Sequence, residues 1–442
     1  MKKLVTLLLA LLLALGLVAC GDSKTPGEED VEILDPNTEG KITVAILAND
    51  SEIKMFTRAI EGFNSIYKNI EVELMTIPDY ESSIMGKLNG GEEIDVIHTP
   101  DNMVSYFAEQ EVLTDLTPYM EQSGFDESKY YKSMMDLGKS TVDGKQYMMP
   151  RDYSKMVTFY NKEIFDAAGV DYPKMGWTWE DFLKTCEALK SKIDSKYYVV
   201  DASMEYAILN YSIMASNGAD KYLDDTFSLV KDTSKMKAGM EMAKELVSKG
   251  YAPNPDGYKA GSFFKKTAAM TFDVRPNFSS FATPDMENDF DVVNFPLIGG
   301  EENGKIATGT SGFSIYTGSS KKNMAWAFIN YIMSEDGQKV LTQSGNAVPV
   351  LKSLAESDDA AWRTFKNGKG NDINNDAFTA YADNDVVSSY FGNLPPAAVL
   401  MYKGEWSSCC MAALNGTKTV DKAFADLNRA IETIKRNYPE YF

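Results

Sequence analysis

The alternation between two kinds of segment near the start of the chain restricts the fold more than any other feature of the sequence. Three segments are rich in β-branched residues or alternate in polarity, which predicts strands over residues 41–47, 70–77 and 94–99. Helix-like segments lie between them, and in the first of these Phe56, Ile60 and Phe63 share one face. Strands that alternate with helices predict a mostly parallel sheet with helices packed on it, so we expect an α/β fold.

The alternation continues through the rest of the chain. Further strands are predicted over residues 156–160, at the end of 263–273 and over 308–317, and further helices over residues 80–88, 161–169, 178–192, 322–345 and 420–438. Thr178, followed by Asp181 three residues later, predicts a shortened capping box. Asn161 can cap the helix that follows it, and Gly169 can end that helix in the left-handed conformation. The conspicuous aromatic residues nearby, Tyr160, Trp177 and Trp179, are therefore interpreted as scaffold.

The amino terminus has the features of a secretory signal. Lys2 and Lys3 precede an apolar run over residues 4–18, which is too short to span a bilayer comfortably as a helix. The Leu-Val-Ala-Cys sequence that ends at Cys20 resembles the lipobox of bacterial lipoproteins, which implies cleavage before Cys20 and lipid attached to it. An ordinary signal peptide with a cysteine near its end is the alternative. We expect a signal peptide over 1–19 and a lipidated cysteine with a flexible tether over 20–39.

The composition excludes several classes of protein. The chain has 64 acidic and 44 basic residues and a net charge of −20, which repels nucleic acid, so we expect no nucleic-acid partner. His98 is the only histidine, which excludes most zinc sites and leaves a Ser-His-Asp mechanism dependent on one residue. Besides Cys20 there are only Cys186, Cys409 and Cys410, which form no disulfide framework. The adjacent pair allows a vicinal disulfide, but two reduced thiols are expected.

Two stretches imitate cofactor motifs. Residues 299–306 have the spacing of a phosphate-binding loop, but Ile306 stands where a hydroxyl is needed for magnesium. Residues 372–383 place acids and amides as a calcium loop does, but Ala377 stands where glycine is needed and Asp383 where glutamate is usual. We expect loops at both places, with no metal and no cofactor.

The order of motifs along the chain resembles that of the extracellular solute-binding protein family 1, the sugar receptors of ABC importers. The resemblance starts from YNKEIFDAAGV (160–170) followed by WTWEDF (177–182). It extends over nearly the whole chain after Cys20 through FNSIYKNIEVEL (63–74), Asp95-Val96, VLTDLTPYM (112–120), DGKQYMMP (143–150), KKTAAM (265–270), SKKNMAWAFINYIMSEDGQ (320–338) and GNAVP (345–349).

The resemblance implies two α/β lobes joined by chain crossings, with a ligand cleft between them, as in the type II periplasmic binding proteins. The first lobe is expected to hold residues 40–151 and 308–346, and the second residues 152–307 and 347–442. Gly309 and Gly312 suit a crossing because glycine tolerates unusual backbone angles. Open α/β sheets bind ligands outside the carboxyl ends of their strands, and two-lobed receptors close on the ligand by hinge motion.

Polar and aromatic residues after the predicted strand ends are the candidate ligand contacts, because sugars are bound by carboxylates, amides, arginine and aromatic rings. They are Asn49, Asp50, Glu52, Asp101, Asp152, Tyr153, Asp273, Arg275, Ser311, Tyr402, Glu405 and Trp406. Ser51, His98, Asn102, Arg151 and Thr310 lie at the same strand ends. Each has a structural alternative. Asp50 and Ser51 can cap the helix that follows, Asp273 and Arg275 can pair with each other, and His98 and Trp406 can lie in the core.

The expected function is capture of a mono- or oligosaccharide and its delivery to an ABC permease with its ATPase. The protein is expected to be a monomer, anchored by Cys20 on the extracellular face of the cytoplasmic membrane, and not an enzyme. Two alternatives remain. The same fold can bind a peptide, a polyamine or another small solute, and a secreted glycoside hydrolase would use two of the many carboxylates.

Overall fold

The structure is a computed structural model that describes residues 31–201, 209–219, 221–256, 258, 261–277, 287–387 and 394–442. The predicted signal peptide, Cys20 and most of the predicted tether lie outside the described residues. The described strands are β1 Gly40–Leu47, β2 Ile70–Ile77, β3 Val96–Pro100, β4 Met149–Pro150, β5 Ser154–Lys155, β6 Val157–Asn161, β7 Tyr198–Asp201, β8 Ala268–Asp273, β9 Phe290–Asn294, β10 Ile306–Gly309, β11 Ser311–Ile315 and β12 Asp385–Val387.

Helices separate most of these strands, as the sequence predicts. The described α-helices are α1 Asp50–Ile66, α2 Tyr80–Asn89, α3 Val104–Glu109, α4 Thr117–Ser123, α5 Lys132–Leu137, α6 Lys162–Ala168, α7 Trp179–Lys190, α8 Leu209–Ser216, α9 Ser234–Ser248, α10 Lys322–Met333, α11 Glu335–Thr342, α12 Lys352–Ala355, α13 Pro396–Leu414 and α14 Val420–Asn437. Within the described ranges, none of the helices has both the length and the apolar character needed to cross a membrane.

The first lobe is built on a five-stranded sheet with the order β2-β1-β3-β11-β4. Strand β1 is parallel to β2 and β3, whereas β11 is antiparallel to β3 and β4. The buried face of α1 packs on this sheet, with the rings of Phe56 and Phe313 edge to face at 5.0 Å. The predicted parallel sheet with helices on it is therefore confirmed for the first three strands.

The second lobe is built on a four-stranded sheet with the order β7-β8-β6-β9. Both faces of this sheet are covered: Phe159 belongs to the core on one side and Tyr160 and Met270 to the core on the other. Helices α13 and α14 pack on each other on the second side. The sheet is mixed, because β6 runs antiparallel to both of its neighbours while β7 and β8 are parallel.

A three-stranded sheet with the order β12-β10-β5 lies where the chain passes between the lobes. Strand β5 follows β4 after three residues, and β10 continues into β11 through Thr310 alone. The two segments run side by side in opposite directions, with Gly312 opposite Pro150 and Thr308 opposite Lys155. The two segments are the crossings between the lobes, and their pairing brings the end of β4 close to the end of β10.

Local helix signals are confirmed where the sequence carries a side-chain cap. Thr178 and Asp181 form a reciprocal capping box at the start of α7, Asn161 Oδ1 accepts from Ile164 N at 3.1 Å, and Gly169 has a φ of 57°. The first helix corrects the prediction by one residue, because its cap is Asn49 rather than Asp50 or Ser51. Cys409 is a buried thiol outside any disulfide, so the vicinal disulfide is not formed.

Candidate functional site

Polar side chains converge where the two crossings meet the carboxyl ends of the first sheet. Asp101 follows β3, Arg151 and Asp152 follow β4, and Thr310 lies between β10 and β11. Glu52 reaches the same place from the first turn of α1, which follows β1. We call Glu52, Asp101, Arg151, Asp152 and Thr310 the strand-end cluster. The convergence follows from topology, because β1 and β3 are parallel and the antiparallel β11 starts where β3 ends.

The Arg151 guanidinium is the centre of the cluster. Its Nη1 lies 2.5 Å from Glu52 Oε2, and its Nε and Nη2 each lie 2.8 Å from Asp152 Oδ2. Burial lowers the pKa of Arg151, but the carboxylates of Asp152 and Glu52 more than offset this, so the pKa is raised. Only 11% of the Arg151 side chain is exposed, so these charges interact with little screening by solvent. Two carboxylates are therefore committed to one cation.

The Asp101 carboxylate is held by the crossing itself. Its Oδ2 accepts from Thr310 N at 3.0 Å, and Thr310 Oγ1 donates to Asp152 O at 2.6 Å. Burial raises the pKa of Asp101 to about 6. The backbone N–H groups of Thr310 and Asn102 stabilise the ionised form and act in the opposite direction, whereas the negative charges of Glu81 and Asp152 raise the pKa further. Asp101 as a whole residue is half-buried.

Close backbone packing explains the glycines of the second crossing. A Cβ on Gly312 would lie 2.0 Å from Met149 O, and one on Gly309 would lie 3.1 Å from Asp101 Oδ2. Neither glycine has a positive φ. The expectation that they supply unusual backbone angles is therefore corrected: Gly312 is required because no side chain fits between paired β11 and β4.

His98 lies beside the cluster in the core. Its ring packs between Tyr80 at 5.5 Å and Phe313 at 6.0 Å between centroids. Burial, followed by the positive charge of Arg151, lowers its pKa well below the usual value. His98 is therefore neutral at physiological pH and has a packing role in the core.

The structure brings some of the predicted ligand contacts together. Asn49, Asp50 and Glu52 lie at the exposed start of α1, and Asp101, Asp152 and Ser311 lie around the two crossings. Asp273 ends β8 in the second lobe, is buried, and accepts from its neighbour Val274 N at 2.8 Å. Glu405 is half-buried on α13, far along the chain from the others.

Four predicted contacts have a packing role instead. Tyr153 is buried and donates its hydroxyl hydrogen to Asp385 at 2.6 Å. Tyr402 is buried and donates to Phe227 O at 2.8 Å, and Trp406 is buried against Tyr222 and Phe424. Arg275 is fully buried, so it does not form an exposed pair with Asp273. The role of ligand contact is not supported at these positions, because none offers its polar group to an open surface.

Arg275 instead joins distant segments of the chain. Its guanidinium donates to Gly345 O at 2.5 Å, to Asn375 Oδ1 at 2.9 Å and to Trp362 O at 2.8 Å. It also lies 4.9 Å from the ring centroid of Phe378. Burial, followed by the positive charge of Arg363, lowers the pKa of Arg275 to about 9. Arg275 therefore fixes the segment after α11 to the end of the second sheet.

Gln338 is a part of the site that the sequence does not reveal. It is buried in α11, donates to Arg151 O at 3.1 Å, and accepts from Val350 N at 2.9 Å. It thereby positions the backbone of the first crossing. No local pattern predicts this, since Gln338 and Arg151 are 187 residues apart. Within the described residues, no group of three or more His, Cys, Asp or Glu side chains could hold a metal ion.

Solved structures with this fold include sugar-binding proteins. An ABC substrate-binding protein of Listeria monocytogenes, solved with cycloalternan, matches with a TM-score of 0.71 and 22% identity, covering 91% of this chain and 100% of that one. The sugar-binding protein MalE of Xanthomonas citri matches with a TM-score of 0.74 and 19% identity, covering 90% and 98%. At these identities the likeness establishes the fold, a two-lobed α/β architecture.

Sequence comparison identifies the family. The diacetylchitobiose-binding protein DasA of Streptomyces coelicolor is 23% identical over 273 residues, which is 59% of this chain, and the match spans 61% of DasA. The model of the bacterial extracellular solute-binding protein family matches residues 58–369, which is well over half of the chain. The chain therefore belongs to the bacterial extracellular solute-binding protein family.

Proposed function

We propose that the protein captures a mono- or oligosaccharide between its lobes and delivers it to the transmembrane subunits of an ABC importer, whose ATPase drives uptake. The strand-end cluster carries this proposal. It places three carboxylates and a guanidinium where the crossings meet the first sheet, so a ligand held there contacts the segments that rotate when the lobes close.

The charge state of the cluster favours a neutral, hydroxyl-rich ligand. Glu52 and Asp152 are neutralised in part by Arg151, and the raised pKa of Asp101 reduces its charge near pH 6. A polyamine would require several uncommitted carboxylates, whereas sugar hydroxyls both donate and accept. The same commitment of Glu52 and Asp152 to Arg151 argues against a glycoside hydrolase, which needs an uncommitted pair of carboxyl groups. The sugars named for DasA and for the Listeria protein support the same ligand class.

The proposed lobes are residues 40–151 with 308–346 and residues 152–307 with 347–442. Asn49, Asp50, Glu52, Asp101, Asp152 and Ser311 are the proposed contacts in and next to the first lobe, and Asp273 and Glu405 are those of the second. Closure then depends on rotation at the two crossings, Pro150 to Ser154 and Gly309 to Ser311.

The remaining parts of the proposal concern location and assembly. Family membership assigns the protein to extracellular solute binding. We further propose that lipid on Cys20 anchors a monomer to the outer face of the cytoplasmic membrane and that the protein turns over no substrate. Expression of the full-length protein tests the anchor: the chain should sediment with membranes, and Cys20→Ala should release it. Sedimentation of the variant with membranes would contradict the anchor.

A thermal-shift screen of sugars tests the ligand class on the purified chain. Binding of the folded state alone adds about 2.7 kcal/mol at a ligand concentration of about 100 times Kd, which raises Tm by several degrees. A hit should be confirmed by calorimetry at one site per chain, with the recovered sugar unchanged by mass spectrometry. Asp101→Asn should weaken binding, while Asp225→Asn, whose side chain is 93% exposed, should not. A shift by a peptide or a polyamine but by no sugar would refute the proposal.

A further inference from the structure

A buried ion pair lies inside the sheet that joins the lobes. Lys155 on β5 and Asp385 on β12 place Nζ and Oδ1 2.8 Å apart, and both side chains are almost fully buried. The two strands flank β10, with Thr308 opposite Lys155 and Ile306 opposite Asp385. The pair therefore spans the central strand of the crossing sheet.

Hydrogen bonds hold this pair from several directions. Asp385 Oδ2 accepts from Tyr153 Oη at 2.6 Å and from Ser133 Oγ at 2.8 Å. Lys155 Nζ donates to Ala380 O at 2.5 Å and lies 5.2 Å from the Tyr153 ring centroid. Ser133 belongs to α5, which packs on β4 of the first sheet, whereas Lys155 lies two residues before the start of β6 of the second sheet. The carboxylate is thus bonded from both sides of the crossing.

The geometry limits how the lobes can move. A buried charge without a partner is strongly destabilising, so the ion pair must survive in every conformation that the folded protein visits. An O–H···O hydrogen bond spans about 2.5–3.0 Å, so Ser133 and Asp385, which are 2.8 Å apart, must also move together to keep their bond. The strand-end cluster is different, because Glu52 is 20% exposed and solvent can replace a bond that opening breaks.

We propose that the Lys155–Asp385 pair, with Ser133 and Tyr153, is the fixed pivot about which the lobes rotate. The backbone at the two crossings changes conformation while these four side chains keep their mutual contacts. The pivot converts a flexible double crossing into a hinge with one axis. Without these side-chain bonds the strands of the three-stranded sheet can tilt relative to one another, and the protein samples a wider range of angles between the lobes.

Distances between spin labels on the two lobes test the pivot. Exposed Glu61→Cys on α1 and Glu180→Cys on α7 carry the labels in a Cys20→Ser background, because the cysteines at 186, 409 and 410 are buried. The central variant is Lys155→Met with Asp385→Leu, which replaces the charges by apolar groups that can pack. The variant removes the acceptor of the Tyr153 and Ser133 hydroxyls, so we expect a lower Tm, and we expect its distance distribution to become about twofold broader.

The outcome separates a pivot from a merely stabilising pair. A distribution as narrow as that of the parent, with or without a lower Tm, would show a merely stabilising pair and would overturn the proposal, as would a parent distribution that is already as broad as that of the variant. The surface pair on α11 provides the matched control: Glu335→Leu with Lys339→Met should change neither quantity. Should the central variant fail to fold, Ser133→Ala with Tyr153→Phe keeps the ion pair and removes the two hydroxyl bonds to Asp385. The same broadening is expected from it, and an unchanged width would overturn the proposal.

Discussion

The ionised Asp101 carboxylate should destabilise the folded protein at neutral pH, so that Asp101→Asn raises stability. Its pKa rises from an ordinary 3.8 to about 6 on folding, mainly because the group is buried. A difference of this size corresponds to about 3 kcal/mol. The folded state binds the proton more tightly, so this part of the stability is fully present below pH 3.8 and is lost as pH rises through about 6.

The amide of the variant is neutral, so its burial avoids this loss of stability, and its oxygen can still accept from Thr310 N. We therefore expect Asp101→Asn to match the parent below pH 4 and to exceed it by about 2 kcal/mol above pH 7, with 3 kcal/mol as the upper limit. Urea unfolding of both proteins between pH 4 and pH 8 measures the difference.

A matched carboxylate should not behave in this way. Asp225→Asn, at a 93% exposed position, should change the free energy of unfolding by less than about 0.5 kcal/mol across the same range. The reasoning would be refuted if the gain from Asp101→Asn were independent of pH, or if the variant were less stable than the parent at pH 7.5. Either result would mean that the bonds from Thr310 and Asn102 at least balance the effect of burial on the pKa of Asp101.

Three further substitutions test the site and its support by urea unfolding. Arg151→Met should lower the free energy of unfolding by about 3 kcal/mol, because it leaves the Glu52 and Asp152 carboxylates without their cation. Arg429→Met, at a 67% exposed position, should lower it by less than about 0.5 kcal/mol. Equal losses would contradict the role of Arg151 as the centre of the strand-end cluster. Gly312→Ala should cost about 3 kcal/mol, because its Cβ meets Met149 O, and a neutral result would mean that β11 and β4 can separate freely. Asn161→Ala should cost about 1 kcal/mol through loss of the α6 cap, whereas an unchanged midpoint would exclude that role.

The fold was predictable where short-range patterns determine it. Alternating segments in the first lobe specify strands and helices through periodicity, and the caps at Asn161 and Thr178 depend on residues three positions away. The α1 cap was placed one residue late, because Asn49, Asp50 and Ser51 are all suitable capping residues. Their relative positions depend on where β1 ends, which sequence patterns locate less accurately than they locate the strand itself.

The site was predictable only for side chains that follow the strands of the first sheet. Parallel topology brings such residues together whatever their long-range contacts, which explains why Asp101, Asp152 and Glu52 do converge. Arg275 and Trp406 have equally suitable chemistry, but their burial depends on partners such as Gly345 and Phe424 that local sequence does not identify. Gln338 is the opposite case: it belongs to no conspicuous sequence motif, yet it positions the backbone of the first crossing.

The cost of Asp101 also says something about the ligand. A buried carboxylate that lowers stability is retained more readily when it gains contacts in another state of the protein, and the closed, liganded state is the natural one. Thr310 and Asn102 fill only part of the hydrogen-bonding capacity of Asp101, so its carboxylate can also accept from a ligand hydroxyl. Binding such a donor should favour the ionised form and lower the pKa of Asp101.

Sugar affinity should therefore rise with pH between about 5 and 7, with proton release on binding, and the Asp101→Asn variant should lose this dependence. Calorimetry in buffers of different ionisation enthalpy measures the released protons, and uptake of protons instead would show that the ligand meets the neutral acid.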